Sequence, residues 1–157
     1  MPFPMQPGKM KGSSGNVPEV VEMDAGAGTF NKGIVIKMTA SVAVVHPLVA
    51  DVTNMYGVSL EGCASGVGDG PDSDIVCVAR INDDTEFVAE CVTSGARTAD
   101  LSGVAIGDSY GLLLVSGYDY VDLDDAANVH VVITKIDDVL NVVWFKFLAS
   151  TFQEIDT

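Results

Sequence analysis

The stretch His130–Phe152, HVVITKIDDVLNVVWFKFLASTF, decides the fold. Two runs rich in β-branched and aromatic residues, Val131 to Ile136 and Val142 to Leu148, flank a polar break at Asp137, Asp138 and Asn141. That pattern reads as an antiparallel hairpin. Side chains alternate along a strand, so Val143, Phe145 and Phe147 point one way while Trp144, Lys146 and Leu148 point the other. Both faces of the second strand are therefore largely apolar. Such a strand belongs at the centre of a sandwich or barrel, or rests one face on a partner.

Working outward, the rest of the chain repeats the same grammar. Short strands are expected at Glu19 to Met23, Gly33 to Met38, Ser41 to His46 and Met55 to Glu61. Ile75 to Ile81 and Glu86 to Val92 read as a hairpin around Asn82 to Thr85, with Phe87, Ala89 and Cys91 toward the core. Ser94 to Ser102 reads as a loop. Leu112 to Val115 and Tyr118 to Leu123 are divided by the turn pair Ser116-Gly117. No segment carries a sustained helical period with caps. The expected class is all-β: a single β-sandwich or partly closed β-barrel over residues 19–157, preceded by an extended N-terminal arm over residues 1–18. The expected core includes Phe30, Ile36, Val58, Leu60, Phe87, Ala89, Val131, Ile133, Phe145 and Phe147.

Charge separates arm from domain. The 157 residues carry 8 Lys and Arg against 22 Asp and Glu, a formal charge of -14. The arm has no acidic residue and holds Lys9 and Lys11, so it carries +2 and the remainder -16. Too few cations are present to neutralise a phosphate backbone, which argues against nucleic acid as a partner, and the same surplus disfavours an anionic membrane surface. The start of the chain lacks the apolar stretch of a signal peptide, so synthesis in a cytoplasm is expected. The composition of the arm suits a flexible segment that orders on a partner, with Phe3, Met5 and Met10 as apolar anchors and Lys9 and Lys11 as a salt-sensitive supplement. Trp144, on the face of the last strand opposite Phe145 and Phe147, is the expected contact residue of the domain itself.

Chemistry-bearing residues are sparse. Cys63, Cys77 and Cys91 lack the paired spacing of a zinc site or disulfide framework and read as buried or half-buried thiols. His46 and His130 sit at strand ends without a ligand spacing, and no GxSxG elbow accompanies them. The glycines of Gly26 to Gly28 and Gly66 to Gly70 read as turns, because a phosphate cradle needs a strand before it and a helix after it. Asp69, Asp72 and Asp74, and Asp119, Asp122, Asp124 and Asp125, read as solvated acidic loops without the order of a calcium loop. No cofactor, metal or catalytic residue is expected, and the chain does not read as an enzyme.

The order of motifs along the chain carries a resemblance. Gly28-Thr29-Phe30 with Gly33, Tyr56-Gly57-Val58-Ser59-Leu60, Ile75 to Ile81, Asp84-Thr85 with Phe87 and Ala89, Gly107-Asp108 with Tyr110-Gly111-Leu112, Tyr120-Val121-Asp122, and Val143 with Phe145-Lys146-Phe147-Leu148 form a succession. It resembles that of the decoration, or cement, proteins on the heads of tailed bacteriophages, from about Gly28 to Gln153. The resemblance implies an all-β structural protein of the virion exterior that binds the major capsid protein and stabilises the shell. It also implies self-association, with a trimer favoured, and an N-terminal arm that helps attachment. Two other classes stand beside it: a virion-surface module that recognises a glycan or receptor through the loops Gly62 to Ser73 and Ser94 to Ser102, and a small β-barrel enzyme using His46 or His130.

Overall fold

The computed structural model describes residues 4–8, 18–25, 29–63 and 75–153. Thirteen strands are formed among them: β1 (Gln6–Pro7), β2 (Val20–Asp24), β3 (Val35–Thr39), β4 (Val42–Val45), β5 (Gly57–Ser59), β6 (Ile75–Arg80), β7 (Phe87–Ala89), β8 (Cys91–Thr93), β9 (Ala96–Thr98), β10 (Ser109–Val115), β11 (Tyr118–Asp122), β12 (Val131–Asp137) and β13 (Val142–Phe147). Two single 3₁₀ turns, Leu48–Ala50 and Ala149–Thr151, are the helical content of these residues. The strands make an eight-stranded sheet in the order β1-β7-β13-β12-β10-β11-β8-β9 and a five-stranded sheet in the order β2-β6-β5-β3-β4. The architecture is an all-β, sandwich-like pair of open sheets.

The C-terminal hairpin is central to the large sheet, as its pattern requires. β13 pairs β12 on one side and β7 on the other. Phe145 lies opposite Phe87 in register, and with Phe147 they form a trio of rings with centroids 5.3 to 6.3 Å apart. Both edge-on and near-stacked contacts occur, the arrangements that ring quadrupoles favour. Val35, Val58 and Ala79 from the small sheet meet these rings and Val131, Ile133 and Val143 in one core. Of the ten expected core residues, eight are buried; Phe30 and Leu60 are half-buried against the core's edge.

The small sheet is apolar on both faces. On β3 and the residue before it, Val35 enters the shared core while Ile34 and Ile36 point to the opposite face. There they meet Met23, Ala43, Val76 and Val78 in a second core. A lone bridge between Ala25 and Ala43 brings the two edge strands of this sheet together at one point.

Three local readings differ from the structure. The stretch after β6 is not a hairpin: β6 belongs to the small sheet and β7 to the large one, so residues 81–86 carry the chain across. Asn82 Oδ1 accepts hydrogen bonds from the N–H groups of Asp84 and Thr85 and from the Thr85 hydroxyl, a turn chemistry that looks alike in sequence whether the strands pair or part. The expected Glu86 to Val92 strand is split at Glu90, its halves pairing with different neighbours. Ser94 to Ser102 is not all loop, because Ser94 and Gly95 take positive φ and fold β9 back on β8.

Candidate functional site

The N-terminal segment is expected to be a flexible or extended arm that orders on a partner, and its residues 4–8 belong to the fold of this chain. Gln6 and Pro7 pair with Val88 and Phe87 at the edge of the large sheet, and Gly8 N–H donates to the Glu86 carbonyl at 2.8 Å. Met5 is buried in the core between the sheets, so its side chain contacts this chain's interior rather than a neighbouring subunit. Gly33 permits that seat: its φ is +85°, and a Cβ there would stand 2.8 Å from the Met5 backbone nitrogen and oxygen. A single apolar residue of a short Pro- and Gly-rich segment has no periodic signature, so composition pointed outward. Phe3, Lys9, Met10 and Lys11 lie outside the described residues.

Trp144 is half-buried beneath this segment. The bare backbone of Gly8 lies on its ring, where a Cβ would collide, and Lys135 Nζ sits 4.9 Å from the ring centroid. A bulge at Thr134 creates the second contact. It shifts the β12–β13 register so that Lys135, not Thr134, stands opposite Trp144. The indole therefore serves first as the platform on which the N-terminal strand rests.

The tip of the same hairpin is exposed and apolar, as are separate single residues such as Ile106, Ile75 and Val49. Asp137 Oδ1 accepts the N–H groups of Val139 and Leu140, Asn141 takes φ +55°, and the turn holds both side chains outward. Val139 is 88% and Leu140 61% exposed. Beside Leu140 lies a polar cavity of about 280 Å³ lined by Glu90, Arg97, Thr98, Ala99 and Asn141, in which the Arg97 guanidinium makes a two-point contact with the Glu90 carboxylate. Alternation on a strand could not flag this tip, because its apolar residues fall in the turn.

The two histidines are used by the backbone. His46 Nδ1 accepts the Leu48 N–H at 2.9 Å, and its Nε2 donates to the Thr53 carbonyl at 2.6 Å. His130 Nδ1 accepts the Leu112 N–H at 2.9 Å. Both rings are fully buried, and burial lowers the pKa of each. Cys63 and Cys91 are buried and Cys77 half-buried; burial pushes the Cys91 thiol up to about 12, which leaves it a core side chain rather than a nucleophile. Among the described residues, no group of three or more His, Cys, Asp or Glu is arranged to hold a metal ion. Asp69, Asp72 and Asp74 lie outside the described residues, as do the glycines of 26–28 and 66–70.

The acidic group near residue 120 is not uniformly solvated. Asp124 Oδ2 accepts the Ser94 N–H and Asp125 Oδ1 those of Ala127 and Asn128, so these two shape turns. Asp119 is only 3% exposed, accepts one backbone N–H through Oδ2, and has no hydrogen-bond partner at Oδ1. Burial raises its pKa to about 7. Period two was the missed signal: Asp119 shares the strand face of Val121, which is in the core. No protein-family model and no curated protein matches this chain.

Proposed function

We propose that the protein is a structural component of a virion exterior, a decoration protein that binds assembled major capsid protein and braces the joints between subunits. The observation that carries the reading is the union of a tightly cored two-sheet domain with an apolar projection at the tip of its central hairpin, Val139 and Leu140. A brace needs a body that does not deform and a small adhesive contact, and the hairpin links the two directly. The ordered motifs from Gly28 to Gln153 favour the same reading. Self-association, with a trimer favoured, and residence on the outer capsid surface belong to this proposal, which assigns no catalytic role and no cofactor. Lys9, Lys11, Phe3 and Met10 remain its candidate arm contacts, while Met5 and Trp144 act by seating the arm.

The test is co-sedimentation of the purified protein with DNA-filled heads of tailed bacteriophages. Binding to expanded heads and not to free capsid subunits is the expected result, reduced in a Val139→Asp/Leu140→Asp variant. Failure to sediment with any head form overturns the reading.

The polar cavity beside Leu140 favours one second reading. Its carboxylate, guanidinium, hydroxyl and amide groups are the donors and acceptors that a sugar engages, so a surface module for glycans is the alternative. Specific retention on a glycan array, lost in Arg97→Ala, would select it.

A further inference from the structure

Residues 46–54 leave the small sheet at the end of β4, cross to the large sheet and return before β5. Their 3₁₀ turn packs on β10, and Leu48 is buried in the core shared by the two sheets. This seat is strained. Leu48 takes φ +50°, and a left-handed backbone at a bulky side chain persists only where its surroundings hold it.

One imidazole supplies part of that hold and a second packs against the segment. His46 clamps the segment from within: its Nδ1 accepts the Leu48 N–H, and its Nε2 reaches across to the Thr53 carbonyl. His130 lies against it from the large sheet. Its Nδ1 accepts the Leu112 N–H on β10, which leaves the proton on Nε2, and Nε2 faces the backbone of Leu48 and Asp51 without completing a hydrogen bond. Each Nδ1 is an acceptor, so each ring must be neutral. A proton added at either Nδ1 sets N–H against N–H and breaks that bond.

We propose that residues 46–54 form a pH-sensitive strap, docked while His46 and His130 are neutral and released from the large sheet when they are protonated. The charged surroundings are mixed. Asp51, whose carboxylate is 3.8 Å from His46 Nε2, faces both rings and favours their charged forms, as Asp125 does for His130. Lys37 and His130 both oppose the charge on His46. The backbone of Thr53 beside His46, and that of Asp51 and Leu48 beside His130, favour the charged rings more than the carboxylates do, yet burial outweighs them all, so the docked strap binds fewer protons than the open one. The stabilisation is therefore fully present above the ordinary histidine value of 6.5 and is lost as pH falls below it. Release adds Leu48 to Val49 and Val52, which are already exposed, and so uncovers an apolar strip under acid conditions. This device is independent of the capsid reading.

Hydrogen exchange on the full-length protein tests it. Between pH 7.5 and 5, after correction for intrinsic rates, the Leu48, Asp51 and Leu112 amides should lose protection about tenfold or more, while β12 and β13 keep theirs. A His46→Gln/His130→Gln variant should show no such pH step. Nitrogen-15 spectra of the unaltered protein give a second readout that needs no variant: both imidazoles should titrate together with the Leu48 and Leu112 amide shifts. Unchanged strap protection at pH 5, simultaneous loss in β12 and β13, or an opening midpoint that differs from the imidazole titration would each overturn the proposal.

Discussion

Asp119 on β11 accepts the backbone N–H of Val35 on β3 at 2.7 Å, so one buried carboxyl joins the large sheet to the small one. Val35 also pairs with Val58 across its own sheet. The bond therefore fixes where β3 of the small sheet lies over the large sheet, close to the core residue Val121.

Burial of that carboxyl, which outweighs the bond from Val35, should make stability depend on pH in a direction opposite to most carboxylates. The folded value, about 7, lies above the ordinary 3.8, so the folded protein holds a proton that the unfolded chain releases. Stability from this group is complete below pH 4 and lost as pH rises to 7, a change on the order of 4 kcal/mol. Asp119→Asn keeps an oxygen for Val35 and cannot ionise. Its stability relative to the unaltered protein should rise between pH 5 and pH 8 in urea unfolding, and a difference independent of pH would show that Asp119 is already ionised when folded. Comparing the two proteins at each pH cancels the opposite contribution of His46 and His130.

The ring trio predicts the most damaging single truncation. Phe145 is fully buried and touches both Phe87 and Phe147. Phe145→Ala should cost about 3–5 kcal/mol. Thermal and urea unfolding measure it, and a change below about 1 kcal/mol would place the ring outside the core.

The N-terminal segment should contribute to stability, not only to attachment. Met5→Ala removes a buried side chain and should cost about 2–5 kcal/mol. Gly33→Ala should be destabilising as well, because its positive φ and the adjacent Met5 backbone leave no room for a Cβ. Equal melting temperatures for Met5→Ala and the unaltered protein would mean that the segment is unseated in solution.

How legible each element was follows from how local its cause is. The C-terminal hairpin and the Ser116-Gly117 turn depend on alternation and on positive φ at adjacent residues, and both were readable. The crossing at residues 81–86 was not, since Asn82 makes the same local turn whichever sheet receives β7. Met5 and Asp119 were missed for a related reason: each is buried by residues distant in sequence, Gly33 for one and Val35 for the other. The hairpin tip was passed over because apolar residues in a turn contribute nothing to a strand period.

The only tryptophan gives a direct optical test of whether residues 4–8 occupy their seat. The Trp144 ring is covered on one side by Gly8 and approached by Lys135, so its emission reports the contact. A methyl at position 8 would enter the space of the ring, and such overpacking typically costs about 1–3 kcal/mol. Gly8→Ala should therefore lower stability and shift the emission of Trp144 to longer wavelength, as water reaches the displaced indole. Lys135→Met keeps the aliphatic stem but removes the cation, so it should alter emission intensity with a stability change of about 1 kcal/mol or less. The two variants separate seating from charge. If Gly8→Ala leaves both emission and melting temperature unchanged, the segment does not rest on Trp144, and the indole face is open for the partner contact that its sequence position first suggested.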